Sequence, residues 1–143
     1  MKMRYGLLVG ALIAACCVNG TLFATTPFKN AFEAKYVKGG SAEFQAAFRK
    51  AGCNTCHVKG KKKEIVNEYG WALSEAIEGN AKDRTDAAKE QGDAAKEAEE
   101  KKLLAEFEAA MKKVESSASA GGQTFGELLK AHQLPSAGEK SIR

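Results

Sequence analysis

The stretch Cys53-Asn54-Thr55-Cys56-His57 is the most informative part of the sequence, and it lies where a helical pattern stops. Before it, Ser41 is a favourable N-cap residue, and apolar side chains follow at helical spacing at Phe44, Ala47, Phe48 and Ala51. Gly52 is a residue type that ends helices. The pentapeptide therefore begins directly after an amphipathic helix.

Helical patterns also occupy most of the chain on either side of this stretch. We expect helices over residues 27–38, 41–51, 64–78, about 100–115, and from the capping box at Thr124 to Leu134. Residues 81–102 are charge-dense and repeat a short Asp-Ala-Ala-Lys-Glu motif, which indicates a solvated helix with a weak point at Gly92. No strand pattern is convincing. The fold class is therefore expected to be all-α, with a charged helical insertion at about 81–102.

Length and composition limit what this chain can be. A chain of 143 residues suits a single domain, and its 44% hydrophobic content owes much to alanine. Valine, isoleucine, threonine and aromatic residues are too sparse for a β-sandwich. The core is expected to be small, so a large apolar ligand would supply packing surface that the side chains lack.

The N-terminal residues 1–24 are typical of an export signal, so residues 25–143 are expected to form the folded domain. Lys2 and Arg4 precede an apolar stretch at 7–18, which is shorter than the ~20 residues that span a membrane. We expect cleavage near Ala24. Two alternatives remain, lipidation at Cys16 after Ile-Ala-Ala and an uncleaved anchor. Each predicts an exported protein, periplasmic or at the cell surface, with membrane contact only through lipid at Cys16 or a retained signal.

Signal removal changes both the charge and the cysteine count. It takes two of the 22 basic residues and none of the 18 acidic ones, leaving a net charge of +2. Such a near-neutral chain is not expected to bind nucleic acid. It also removes Cys16 and Cys17, so Cys53 and Cys56 become the only pair.

A Cys-x-x-Cys-His run is the attachment signature of c-type haem. Two thiols three positions apart can add to the two vinyl groups of one porphyrin, and the following imidazole then ligates the iron. Cys53 and Cys56 are thus the expected attachment residues for one covalent haem c, and His57 is the expected proximal ligand. Three alternatives are a thiol–disulfide oxidoreductase, which is expected near a βαβ pattern, a zinc site, which needs four ligands, and a plain disulfide.

The residues from about 41 to 135 resemble class I cytochromes c. The resemblance lies in the haem motif after a first helix carrying Phe44 and Phe48, and in a last helix carrying Phe125, Leu128 and Leu129. The chain is also similar to small exported bacterial monohaem proteins that carry Tyr-Gly-x-Ala-Leu and Thr-Phe-Gly-Glu-Leu, here at 69–73 and 124–128. The resemblance implies a cytochrome c-like helical domain around one haem. The Gly-Pro that often follows the motif in class I proteins is missing.

The second axial ligand would decide whether such a haem carries electrons or binds a small molecule. Met111 is our first candidate and His132 the alternative, although each also fits as an ordinary residue on the inner face of its helix. Tyr69 and Trp71 are candidates for contacting the haem. A lysine ligand and an open distal position, with water or nothing bound, are the further alternatives.

The functional expectation is a non-enzymatic, one-electron carrier between redox partners outside the cytoplasm. A haem-based sensor of small ligands with an open or weakly ligated distal site is the alternative, and thiol–disulfide exchange is a minor one; a peroxidase-like activity is also left open. Four lysines beside the motif would attract acidic redox partners, or form a plain solvated loop: Lys59, Lys61, Lys62 and Lys63.

Overall fold

The computed structural model describes residues 25–142, and these residues are mostly helical. In chain order the elements are α1 (Thr25–Phe32), α2 (Ala42–Ala51), β1 (Ile65–Val66), α3 (Glu68–Ala76), α4 (Ala81–Glu90), α5 (Asp93–Val114), α6 (Phe125–Lys130) and β2 (Lys140–Ser141). A wider π-type turn at Glu33–Val37 extends α1, and a 3-10 turn at Gly52–Thr55 follows α2. The predicted helical class is confirmed. None of the described helices combines the length and apolar character needed to cross a membrane.

Side chains at the helix starts explain where several of these helices begin. The Ser41 hydroxyl accepts the amide N–H of Phe44 at 3.2 Å, which confirms the predicted N-cap of α2. Thr124 and Glu127 form the complete capping box predicted for α6. Helix α3 begins at Glu68, four residues later than expected, because the Asn67 carboxamide oxygen accepts the Gly70 amide N–H at 2.8 Å and caps the helix there.

The core is built mainly from aromatic side chains. Phe32 stacks on Phe48 with ring centroids 5.5 Å apart, and Tyr69 meets Phe32 and Phe125 edge to face at 5.8 and 5.2 Å. Helices α1 and α3 both pack on α5. Helix α5 contributes Phe107, Met111 and Val114 to the same core.

The charged segment forms a helical hairpin instead of one solvated helix. Helices α4 and α5 pack against each other and are joined by two residues, of which Gly92 has φ +115° and allows the reversal. Arg84 lies between them and donates to Glu99 at 2.6 Å and to Glu106 at 2.7 and 3.0 Å. The predicted break at Gly92 is confirmed, and most of residues 81–102 are exposed or partly exposed as expected, but the segment is divided between two packed helices instead of forming one.

The expectation that the chain has no strand is also wrong, because the structure contains one short pair of strands. Strand β1 pairs antiparallel with β2, Ile65 opposite Ser141 and Val66 opposite Lys140. Two residues are too few to produce the alternation that identifies a strand in a sequence. The pair matters because it ties the C-terminal segment to the chain immediately after the lysine-rich loop.

Candidate functional site

The motif Cys53–His57 occupies a tight turn at the end of α2. Gly52 ends the helix with φ +54°, in the left-handed region that glycine adopts most readily. The carbonyl oxygen of Cys53 then accepts the amide N–H of Cys56 at 3.3 Å and of His57 at 3.0 Å. Cys53, Cys56 and His57 therefore lie together in one small loop.

The two thiols are in different environments. Both cysteines are free, Cys53 exposed and Cys56 partly buried against the core. Burial raises the pKa of the Cys56 thiol to about 12, and the neighbouring Cys53 contributes in the same direction. A reactive cysteine of a thiol–disulfide enzyme needs a low pKa, so that its thiolate is populated. The surroundings of Cys56 instead raise its pKa, so they disfavour the thiolate.

The imidazole of His57 is half-buried, and its Nδ1 atom is buried without a hydrogen-bond partner among the described residues. Burial lowers the pKa of His57, and the positive charge of Lys63 lowers it further, while a hydrogen bond with the Lys63 backbone opposes both. These effects favour the neutral imidazole, which is the form that binds metals. Buried polar atoms usually have a partner, so an unpaired ring nitrogen here fits a residue that serves a bound group.

Asn67, which the sequence reading missed, holds the turn from the other side. Its carboxamide N–H groups donate to the carbonyl oxygens of Thr55 at 2.8 Å and Pro135 at 2.9 Å. Its backbone N–H donates to the Cys56 carbonyl oxygen at 2.9 Å. The predicted helix over 64–78 placed Asn67 inside it; asparagine is a common N-cap residue, but that preference does not reveal these distant partners.

The chain on either side of the lysine-rich loop is paired, so the loop is closed at its base. His57 and Val66 form an isolated antiparallel bridge, and the amide N–H of Val58 donates to the Ile65 carbonyl oxygen at 3.1 Å. The four lysines of this loop are all exposed, and Lys61 forms an exposed ion pair with Glu139 at 3.5 Å. A positively charged patch therefore lies next to the motif.

The two candidates for a second axial ligand lie in different surroundings. Met111 is 1% exposed in the same core against which Cys56 packs, and its carbonyl oxygen accepts the Tyr36 hydroxyl at 3.2 Å. His132 is exposed, stacks on Phe44 at 5.3 Å, and accepts the Ser41 amide N–H at Nδ1 at 3.4 Å. Ser41 caps the start of α2, and Cys53 lies just beyond its other end. The distance from His132 to the motif is therefore about the length of this ten-residue helix, roughly 15 Å.

The aromatic residues after the motif also differ from each other. Tyr69 is completely buried in the core against which Cys56 packs. Trp71 is partly exposed beneath the Lys140 ammonium group, 3.9 Å from its ring centroid. Tyr69 is therefore the one placed in the core with Cys56, whereas Trp71 faces the C-terminal segment.

The donor set also bears on which bound group would fit. The described residues contain no arrangement of three or more His, Cys, Asp or Glu side chains suited to hold a metal ion, so the four-ligand zinc alternative gains no support. A haem iron needs only one or two protein ligands, of which His57 would supply one, and the two free thiols of Cys53 and Cys56 would bond to the porphyrin. Two surface clefts of about 440 and 380 Å³ are lined by other residues and do not include the motif.

Comparison of the chain with protein-family models, with curated proteins and with solved structures found no match.

Proposed function

We propose that this protein is an exported c-type haem protein that carries one electron at a time between redox partners. The observation that carries the proposal is the Cys53–His57 turn, in which two free thiols precede a half-buried imidazole with an unpaired, buried Nδ1 atom. Residues 1–24, proposed as the export signal, lie outside the described residues, as does the alternative lipid site at Cys16.

Each residue of the turn has a separate task in this proposal. Cys53 and Cys56 hold the porphyrin through thioether bonds, and His57 ligates the iron. Iron that alternates between its ferric and ferrous states supplies the one-electron chemistry. The partial burial of His57 lowers the pKa of its imidazole and so favours the neutral form that binds metals. The resemblance to class I cytochromes c agrees with these roles.

Met111 is the proposed second axial ligand, with His132 as the alternative. Met111 is preferred because it shares the core with Cys56, whereas His132 lies beyond the far end of α2. Met111→Leu should abolish a ferric absorption band near 695 nm, typical of methionine-ligated haem, if the parent has it. His132→Asn is the matched control and should leave that band unchanged.

A second candidate function, a haem-based sensor of small ligands, is favoured by one observation. Met111 is 1% exposed within the hydrophobic core, and the hydroxyl of Tyr36 donates to its backbone carbonyl oxygen. A methionine that stays in this core leaves the second axial position open. Rapid carbon monoxide binding to the reduced protein, with an unchanged rate in Met111→Leu, would favour the sensor over the electron carrier.

The proposed partners are acidic redox proteins that dock near Lys59, Lys61, Lys62 and Lys63. These side chains are exposed next to the motif, so their field would speed encounter with a negatively charged surface. Lys61→Glu should slow electron transfer to such a partner at low salt. A rate that does not change with salt or with this substitution would contradict the docking role.

The proposal is tested by expressing the full chain with a haem c maturation system and measuring intact mass and visible spectrum. The expected result is one haem per chain, bonded covalently. Cys53→Ala and Cys56→Ala should each reduce that attachment, whereas Asn54→Ala, in the same turn, should not. A colourless parent protein with the mass of bare polypeptide would refute the proposal.

A further inference from the structure

Asn67 is a buried polar residue that connects the motif to two distant parts of the chain. It is 2% exposed, and its carboxamide makes three hydrogen bonds, donating to Thr55 and Pro135 and accepting from Gly70. The Pro135 carbonyl lies 68 positions along the chain from it. A buried side chain with this many satisfied contacts fixes whatever backbone it binds.

The contacts of Asn67 reach the peptide groups on both sides of Cys56. Its side chain binds the carbonyl oxygen of the Thr55–Cys56 peptide, and its backbone N–H binds that of the Cys56–His57 peptide. Peptide groups are planar, so the orientations of these two planes set the backbone dihedral angles of Cys56. Those angles determine the direction of the Cys56 side chain and the position of the His57 backbone.

The residue type also points to this task. Capping α3 requires only one side-chain oxygen, for which serine or aspartate would serve as well as asparagine. Asparagine additionally carries two N–H donors, and here both engage carbonyl oxygens outside the helix. We propose that Asn67 is a positioning residue that sets the Cys56 thiol and the His57 imidazole in the orientation required for haem attachment and iron ligation. This inference rests on the proposed function.

The experiment compares Asn67→Asp and Asn67→Ser with Asn54→Asp. Aspartate keeps the shape of asparagine but sets a carboxylate against two carbonyl oxygens, and serine keeps the cap while losing the reach to Thr55 and Pro135. Asn54→Asp is the control, because it makes the same chemical change within the motif turn. The Thr55 and Pro135 carbonyl oxygens are bound by Asn67 and not by Asn54.

Two readouts separate positioning from simple stability. The first is haem per chain and the visible spectrum of the loaded fraction, measured where far-ultraviolet circular dichroism shows parental helix content. Loss of a residue that orients a ligand should reduce loading about tenfold. The second is the alkylation rate of Cys56 relative to Cys53 in the haem-free chain, which should rise about tenfold when the buried contacts are lost. Asn54→Asp should match the parent in both.

The outcomes distinguish this inference from the proposed function. If the Asn67 variants load haem, keep the parental spectrum and protect Cys56 as the parent does, while only the thermal midpoint falls, Asn67 has a structural role alone and the inference is wrong. If Asn67→Asp does not fold, Asn67→Ser decides by the same readouts. A parent that carries no haem overturns the proposed function, and with it the haem role of Asn67, whatever the alkylation rates.

Discussion

Replacing Gly70 with alanine tests how closely α3 packs against the motif. Gly70 lies buried inside α3, next to the peptide of Cys56. A Cβ atom there would overlap the Cys56 carbonyl oxygen, and it would lie 3.0 Å from the carbonyl carbon and 3.1 Å from Val66 Cβ. Two of these three atoms belong to backbone whose carbonyl already binds Asn67, so they cannot move aside without breaking that hydrogen bond.

The magnitude follows from two opposing effects. Glycine to alanine inside a helix ordinarily stabilises by about 1 kcal/mol, because alanine has the higher helix propensity. Overpacking a rigid site costs about 1–3 kcal/mol or more, and contact with fixed backbone belongs at the upper end of that range. We expect Gly70→Ala to lower the free energy of unfolding by about 2 kcal/mol. For a chain of this length, that loss lowers Tm by roughly 8 °C.

The assay is urea unfolding of the haem-free chain, followed by circular dichroism, with the m-value checked for constancy. Gly121→Ala is the matched control, because the added Cβ would meet only the Ser119 hydroxyl at 3.7 Å. The free energy of unfolding of that variant should be within about 0.5 kcal/mol of the parent's. A Gly70→Ala protein as stable as the parent, or more stable, would refute the packing of α3 on the Cys56 carbonyl.

Two further predictions concern other parts of the fold. Arg84 holds the pKa of Glu106 below its usual value, so their pairing stabilises the folded state above pH ~4.5 and is lost as pH falls through the lower folded-state pKa. The stability gap between the parent and Arg84→Met in urea should therefore be larger at pH 7 than at pH 3, and a constant gap would contradict this. His132 has φ +58° and stacks on Phe44; His132→Ala keeps the strained backbone and loses the stacking, whereas His132→Gly relieves the strain. Thermal unfolding should rank His132→Gly above His132→Ala, and the reverse order would exclude backbone strain at this position.

Local signals predicted the helical parts of this fold well. The caps at Ser41 and Thr124, the helix end at Gly52 and the break at Gly92 each depend on residues within a few positions of one another. Such short-range preferences can be read directly from the order of residues. The motif turn belongs to the same group, because its hydrogen bonds span only three or four positions.

Long-range contacts account for what the sequence reading missed. The partners of Asn67 are 12 and 68 positions away, and β2 pairs with β1 across most of the described chain. Gly70 looks like an unfavourable residue inside a helix until the Cys56 carbonyl is seen beside it. His132 was expected to point inward from its spacing, yet it lies past the end of α6, where the periodicity of the helix no longer applies. No pattern in neighbouring residues carries this information.

The position of Pro135 in the chain has a consequence for biogenesis. Its carbonyl oxygen accepts one of the two hydrogen bonds that the Asn67 carboxamide donates, and the Ala137 carbonyl oxygen accepts the amide N–H of the adjacent Glu68. Both residues are synthesised long after the two cysteines. Until residues 135–137 are in place, the turn lacks these two hydrogen bonds. The final form of the turn therefore depends on residues that follow it much later in the chain.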